Sequence, residues 1–236
     1  MAGLQGSYKV DIAFVIDATG SMGPIMGEVK DRALTLGDEI KAKMAAENKY
    51  IGALRIRVID FADFASEGPD AIHASEFYNM PEEQPQFENQ IKGIQFLDRG
   101  GDDPENALEA LWAAMKSDWV DLPGKGRHII VLITDALPLN LGERNGCFGY
   151  AAEDYPANIQ EMEEIWLETA TQGGGHTRLS PRNKRLLLFA PQGSDGTHSW
   201  DTVSGWEQVI YKEVKPGCGL GDMNLDAVIA EIVRSA

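Results

Sequence analysis

The stretch YKVDIAFVIDATGSMG, residues 8–23, decides how the rest of the sequence is interpreted. Its first ten residues are almost continuously apolar and rich in β-branched side chains. That pattern is typical of a strand buried on both faces of a parallel sheet. The run stops at Asp17, and Thr19, Gly20 and Ser21 follow at once. An acid and two hydroxyls at the end of a buried strand mark the first place to look for a functional site.

Other apolar runs continue the pattern along the chain. Further strands are predicted at 54–63, 127–136, 185–191 and 206–214, with a short edge strand at 74–80. Helices are predicted by apolar spacing at 24–46, 87–97, 103–119, 158–170 and 223–236. This alternation predicts an α/β fold with a doubly wound, mostly parallel six-stranded sheet and helices on both faces. No linker divides the chain, so we expect one domain over residues 1–236.

The composition limits the classes of partner and compartment. The chain has 37 acidic and 21 basic residues and a formal net charge of −16. Such a charge repels nucleic acid and anionic membranes, so we expect neither as a partner. The first ten residues lack the apolar core of a signal peptide, and no apolar run reaches the ~18 residues of a membrane span. We therefore expect a cytoplasmic protein.

The chain has two cysteines, Cys147 and Cys218. Two cysteines do not make a disulfide framework, and their spacing matches no zinc motif. We predict free thiols in a reducing compartment, with a meeting of the two cysteines in the fold as the alternative.

Oxygen-bearing side chains recur where predicted strands end. Asp17, Thr19 and Ser21 follow the first strand, Asp135 follows the strand of 127–136, and Asp102 precedes a predicted helix. In open α/β sheets, sites lie beyond the carboxyl ends of the strands. Mg²⁺ takes about six oxygen ligands, and hydroxyls supply oxygens without adding charge. Each acid alone is also typical of a helix cap, but their shared edge predicts a metal site.

These residues also carry a family resemblance. Asp17-Ala18-Thr19-Gly20-Ser21 resembles the D-x-[ST]-x-S signature of von Willebrand factor A domains, which forms their metal-ion-dependent adhesion site. RGGDDPENAL, residues 99–108, stands where that family has a Gly-Gly-Thr loop, and LITDA matches its strand-terminal aspartate, here Asp135. The resemblance covers about residues 8–235. It implies a Rossmann-like, doubly wound sheet with a short antiparallel edge strand.

The resemblance also implies a ligand set. A Mg²⁺ ion, with Mn²⁺ or Ca²⁺ as the alternative metals, is expected to bind Thr19 and Ser21 directly. Asp17 and Asp135 are expected to act largely through water or as hydrogen-bond acceptors behind the direct ligands. The sequence departs from the family at Asp102, where a threonine is usual. Asp103 is the other reading of that loop, and we prefer Asp102 because Asp103 suits the cap of a helix starting at Pro104.

The functional expectation is a stand-alone binding module without catalytic residues. By the resemblance, an Asp or Glu of a partner protein completes the coordination of the metal. Loops 137–156 and 64–75 would select the partner, and the acidic surface predicts basic patches around the partner's liganding acid. A charged Asp102 would hold the metal more firmly and leave it less electrophilic for that acid.

A rival function comes from a different class. Residues 17–21 are also close to the D-K-T-G-T motif of P-type ATPases, and GDMNLD, residues 221–226, resembles the G-D-x-x-x-D motif of haloacid-dehalogenase-like proteins. Together they predict a Mg²⁺-dependent phosphatase with Asp17 as nucleophile. GDMNLD does not follow an apolar run, however, so Asp222 is better interpreted as a helix cap and Asp226 as an exposed residue.

Overall fold

The apolar run that opens the sequence forms β1, Tyr8–Asp17, in the middle of the sheet of the computed structural model. The structure describes residues 7–32, 35–94, 104–122, 125–168, 177–215 and 224–236, with residues 24–26 described through their backbone alone. Successive residues of β1 enter two separate cores. Val10 and Phe14 pack on one side of the sheet, and Ala13 and Val15 pack on the other. Both faces are covered, which explains why β1 is apolar at nearly every position.

The remaining strands are β2, Ile51–Phe61; β3, Ile72–Ala74; β4, Tyr78–Met80; β5, Gly126–Ile133; β6, Lys184–Pro191; and β7, Val209–Val214. They form one sheet in the order β3-β2-β1-β5-β6-β7, with β4 also paired to β2. The pairs among β2, β1, β5, β6 and β7 are parallel, whereas β3 and β4 run antiparallel to β2. The expectation of an α/β fold with a mostly parallel sheet is confirmed.

The prediction of six strands is wrong, because the edge segment 74–80 contributes to two strands rather than one. Ser75 is the cause of the division. Its hydroxyl accepts the hydrogen bond of Val58 N (3.0 Å) and donates to Glu76 O (2.8 Å). Ser75 N still donates to Val58 O (2.9 Å), but a hydroxyl instead of a backbone carbonyl accepts from Val58 N, and strand pairing with β2 resumes at Tyr78.

The helices are α1, Gly23–Arg32; α2, Leu36–Ala46; α3, Phe64–Glu67; α4, Gln84–Gly93; α5, Ala107–Met115; α6, Ile159–Leu167; α7, Asp201–Ser204; and α8, Leu225–Ser235. Buried residues of α1, α2, α4 and α8 share a core on one face of the sheet. Residues of α5, α6 and α7 share the core on the other face. In the described part of the chain, no helix is long and apolar enough to cross a membrane.

The helix predicted over 24–46 is in fact two helices. Thr35 precedes α2, and its hydroxyl has two acceptors within reach of its one hydrogen, Arg32 O (3.2 Å) and Glu39 Oε1 (2.6 Å). These bonds offer the backbone of this segment an alternative to a continuous helical ladder. The apolar spacing was correct, but it did not reveal the break.

The predicted start of α5 at Pro104 is also wrong. The helix begins at Ala107, because Glu105 pairs with the chain beyond β5: Glu105 N donates to Leu137 O (3.0 Å), and Leu139 N donates to Glu105 O (2.8 Å). This pairing keeps the residues before Asn106 out of the helix. The residue at the cap of α5 is Asn106, not Asp103 as the sequence predicted. Asp103 lies outside the described residues. The reason for preferring Asp102 over Asp103 is therefore lost.

Candidate metal site at the carboxyl edge of the sheet

The turn after β1 places three of the predicted ligands. Asp17 is fully buried, with 0% of its surface exposed, and its Oδ1 accepts from the backbone N–H (2.9 Å) and hydroxyl (2.6 Å) of Thr19. Ala18 N donates to Phe61 O (2.8 Å), which fixes the end of β1 against the end of β2. A single 3₁₀ turn, Gly20–Met22, then carries Ser21 to the exposed side of the edge.

The end of β5 meets this turn through two side-chain hydrogen bonds. The Thr134 hydroxyl donates to Asp17 Oδ2 (2.6 Å), and the Ser21 hydroxyl donates to Asp135 Oδ1 (2.8 Å). The structure thus brings together Asp17, Ser21 and Asp135, with Thr19 held on Asp17. Asp102 lies outside the described residues, as does its alternative, Asp103.

The surroundings of Asp17 disfavour its ionised form. Burial raises the pKa of Asp17 to about 6, hydrogen bonds from Thr134 and Thr19 oppose that rise, and the charge of Asp135 adds to it. A cation beside the two carboxylates would favour their ionised forms and relieve their repulsion. All four described candidates offer oxygen atoms, the donor type that Mg²⁺ prefers. The side chains present therefore fit a hard divalent cation.

The carboxylates alone do not make a metal-binding cluster in the described ranges. Within them, no three His, Cys, Asp or Glu side chains form a group that could hold a metal ion. The described candidates are two carboxylates and two hydroxyls, so a metal here depends on Thr19 and Ser21 as well as on the acids.

Thr134 is the site residue that sequence reasoning missed. Besides its bond to Asp17, its hydroxyl accepts from Ala136 N (3.0 Å), so it shapes the turn that presents Asp135. Its position immediately before a strand-terminal acid was the available signal. The bond across the sheet edge to Asp17 could not be read from spacing.

Two loops border this edge, and we call residues 62–70 and 137–156 the rim loops. Asp63, which caps α3, forms a two-pronged ion pair with Arg144, both contacts at 2.5 Å. Asn106 Oδ1 accepts from Phe64 N (3.0 Å), which ties the segment before α5 to the same rim. The sequence predicted loops 64–75 and 137–156 beside the site, but none of these contacts could be predicted from it.

A buried acid on α5 anchors the longer rim loop. The Tyr150 hydroxyl donates to Glu109 Oε1 (3.1 Å) and accepts from Gly142 N (2.9 Å). Glu109 is fully buried, and burial raises the pKa of its carboxyl despite the hydrogen bonds that favour the charged form. The long loop after β5 is therefore fastened to the helix layer and is more than a plain connection.

The loop after β6 reaches the same rim. His198 lies between two carboxylates, with Nδ1 at 2.7 Å from Asp195 Oδ2 and Nε2 at 2.8 Å from Glu143 Oε2. Burial lowers the pKa of His198, but its hydrogen bonds to the two carboxylates outweigh burial and raise the pKa above its ordinary value. Trp200 Nε1 donates to Ala136 O (3.0 Å), next to Asp135. His198 in its charged form therefore ties two loops together beside the candidate site.

The residues of the rival phosphatase prediction are not gathered at this edge in the described structure. Asp226 on α8 is exposed and pairs with Lys43 (2.9 Å) and Arg32 (3.2 Å). Asp222 lies outside the described residues. Of the cysteines, Cys147 is a free thiol in the rim loop 137–156, and Cys218 is outside the described residues.

Comparison with known proteins identifies a similar fold but no family. No family model matches the chain, and no curated protein sequence matches it. Two crystal structures of the pilus adhesin SpaC from Lactobacillus rhamnosus GG, one in an open conformation, are similar with TM-scores of 0.57 and 0.55 at 14% identity. The matches cover 98% of this chain but only 31% and 30% of the adhesin chain. This chain is thus similar in fold to less than a third of SpaC.

Proposed function

We propose that this chain is a von Willebrand A-like domain whose metal-ion-dependent adhesion site binds Mg²⁺ and, through the metal, a carboxylate of a partner protein. One observation carries the proposal: Asp17, Thr19, Ser21 and Asp135 meet at the carboxyl edge of a parallel sheet. They are joined there by the bonds from Thr19 to Asp17 and from Ser21 to Asp135. Such a site requires that the signature residues occur in order in the sequence. It separately requires that they meet in space.

The architecture supports the same proposal. The chain direction along the sheet reverses at β1, because β2 and β3 lie on one side of it and β5, β6 and β7 lie on the other. Ligand sites in doubly wound sheets form beside such a reversal. The candidate residues follow β1 and β5, the two strands at that point. The similar structures belong to a protein named as an adhesin, which agrees with a binding role.

The proposed roles follow from the chemistry of the side chains. Thr19 and Ser21 would supply neutral oxygens, while Asp17 and Asp135 would orient these hydroxyls and supply negative charge. Bound Mg²⁺ would provide a Lewis acid with a position for an acidic side chain of the partner. Direct coordination of the metal by Asp102 or Asp103 would hold it more firmly and weaken its attraction for that side chain.

The buried position of Asp17 favours binding over phosphoryl transfer. A nucleophilic carboxylate must reach the phosphorus atom, but Asp17 has no exposed surface and both of its oxygens accept hydrogen bonds. Incubation with p-nitrophenyl phosphate and Mg²⁺ tests the enzyme alternative. Turnover that disappears in Asp17→Asn would replace the binding proposal.

Metal binding is tested by titrating the chain with Mn²⁺ and following the free ion by electron paramagnetic resonance, with Mg²⁺ as competitor. We expect Ser21→Ala to weaken binding about tenfold or more, a loss typical of damaged metal sites. Ser204→Ala is the matched control, because the Ser204 hydroxyl donates to Asp201 O within α7. Equal affinity in Ser21→Ala and the wild type would contradict the proposed site.

The carboxylate step has its own probe. Acetate added to the Mn²⁺-loaded protein should displace a metal-bound water and reduce the water-proton relaxation rate. Chloride at the same ionic strength is the control. An unchanged relaxation rate with acetate would mean that the metal offers no position to a carboxylate.

A further inference from the structure

The rim loop 137–156 carries an aromatic side chain that is largely exposed to solvent. Phe148 has 82% of its surface exposed. The other exposed large apolar residue in the described ranges is Tyr50, at 47%, and it precedes β2 at the opposite edge of the sheet. Burial of a phenylalanine side chain is favourable in proportion to the apolar area that leaves water, so an exposed one leaves that free energy available to a partner.

The backbone around Phe148 is held in place, although its ring is exposed. Gly149 has a φ of +87°, and a Cβ there would lie 2.4 Å from the backbone of Pro69. A Cβ on Gly68 would lie 3.2 Å from Phe148 Cδ1. The rim loops therefore meet backbone to backbone at the base of the exposed ring, and only glycine permits so close an approach.

Contacts on both sides of Phe148 strengthen this support. Arg144 is paired with Asp63 across the rim loops. The Tyr150 ring packs edge-on against Phe64, with centroids 5.2 Å apart, and lies 5.0 Å from the Tyr155 ring. Because these contacts fix the loop that carries Phe148, binding orders little additional backbone, which is one property of a preorganised anchor.

The charge around the ring indicates the chemistry of the partner. The rim loops carry six acidic residues: Asp63, Glu67, Asp70, Glu143, Glu153 and Asp154. Their one arginine or lysine is Arg144, which is paired with Asp63, and His198 from the loop after β6 is paired with Glu143. Glu67, Asp70, Glu153 and Asp154 therefore give the rim its excess negative charge. A surface that complements this rim must be basic, and the net charge of −16 acts in the same direction at longer range.

We propose that Phe148 is the anchor of a protein-docking surface, inserting into an apolar pocket of the partner that is bordered by lysine or arginine side chains. This inference rests on the proposed function, because it assigns the same partner that presents its acid to the metal. The metal site supplies one point of attachment. Phe148 supplies a second, which selects among proteins that all carry exposed acids.

A displayed library of random peptides, each with one fixed aspartate, is a suitable probe. Selection on the Mg²⁺-loaded chain should enrich peptides that combine lysine or arginine with apolar residues. Phe148→Ala should weaken the selected peptides about tenfold or more, as the loss of an interface anchor does. Phe148→Tyr should retain most of the affinity, and Tyr50→Ala, the matched exposed aromatic, should retain all of it.

The two proposals fail in different ways in this experiment. Peptides that lose affinity with EDTA and with Ser21→Ala, but not with Phe148→Ala, would overturn the anchor and leave the metal site standing. Peptides that depend on Phe148 but ignore EDTA would support the anchor and contradict the metal-mediated function. A selection without binders, or binders without basic residues, would count against the anchor.

Discussion

Two buried aspartates of β1 lie in opposite electrostatic surroundings. Asp11 accepts two hydrogen bonds from Arg55, at 2.6 and 3.0 Å, and a third from Val120 N (3.1 Å). In the described structure, the groups bonded to Asp17 are uncharged, and Asp135 is its charged neighbour. The protein neutralises the first acid with its own arginine. The second lies among neutral donors, and under the proposed function bound Mg²⁺ would supply its cation.

Breaking the internal pair gives the largest expected effect. Arg55→Met leaves Asp11 buried without its cation, so we expect a loss of about 3 kcal/mol or more in the free energy of unfolding. The loss should be the same with and without Mg²⁺, and urea denaturation measures it. The double variant Asp11→Asn with Arg55→Met should recover part of the stability. A double variant as unstable as the single one would show that packing, not charge, dominates.

Substitution of Asp17 should change the stability little in EDTA but should remove the effect of Mg²⁺ on stability. Asp17→Asn removes a buried charge beside Asp135, so we expect its stability in EDTA to change by less than about 1 kcal/mol. The stabilisation that Mg²⁺ gives to the wild type, about 2.7 kcal/mol at a concentration of about 100 Kd, should disappear. Thermal unfolding with Mg²⁺ and with EDTA tests both statements. Retained Mg²⁺ stabilisation in the variant would remove the contrast between the two aspartates.

Glu109 sharpens the comparison, because it is a buried acid with a hydroxyl partner but away from the metal residues. Since burial raises its pKa, the folded state holds the proton more tightly, and stability falls as pH rises above the unfolded pKa of about 4.3. Tyr150→Phe removes a donor that favours the carboxylate. We expect a loss of about 1–2 kcal/mol near pH ~8 and a smaller one near pH ~5.

The control for that change is Tyr155→Phe, the neighbouring ring at 5.0 Å. Urea denaturation at the two pH values measures both variants, and Mg²⁺ affinity should be unaltered in each. An equal loss at both pH values would show that the ionisation of Glu109 is not coupled to its hydrogen bond with Tyr150.

The smallest expected effect concerns His198, a cation that pH can remove, unlike Arg55. Its pKa is raised in the folded state, so its contribution is complete below the unfolded pKa of about 6.5 and is lost as pH rises through the folded value. We expect amide hydrogens of residues 192–200 to lose protection across that range after correction for intrinsic exchange. His198→Gln should show low protection at every pH. If protection in the wild type does not change with pH, the charged His198 does not hold Asp195 and Glu143 together.

The sequence predicted that Asp17 and Asp135 share one edge of the sheet, but it predicted few of the contacts around them. Asp17 and Asp135 could be placed at one edge because the carboxyl ends of parallel strands share an edge. The bond from Thr134 to Asp17, the pairing of Asp63 with Arg144 and the exposure of Phe148 depend on loops whose conformation no local pattern specifies. Asp102 lies outside the described residues, so its role as a ligand stays a prediction.

The sequence by itself determined the strand and helix layers, because apolar spacing reports which faces must leave water. It also determined which oxygen-bearing residues end the central strands. Only the tertiary structure decided that Ser75 divides the edge strand, that Glu105 delays α5 by pairing beyond β5, and that Asp17 lies among neutral donors. Each of these is a contact between distant parts of the chain, and its free energy depends on where the whole fold places the partner.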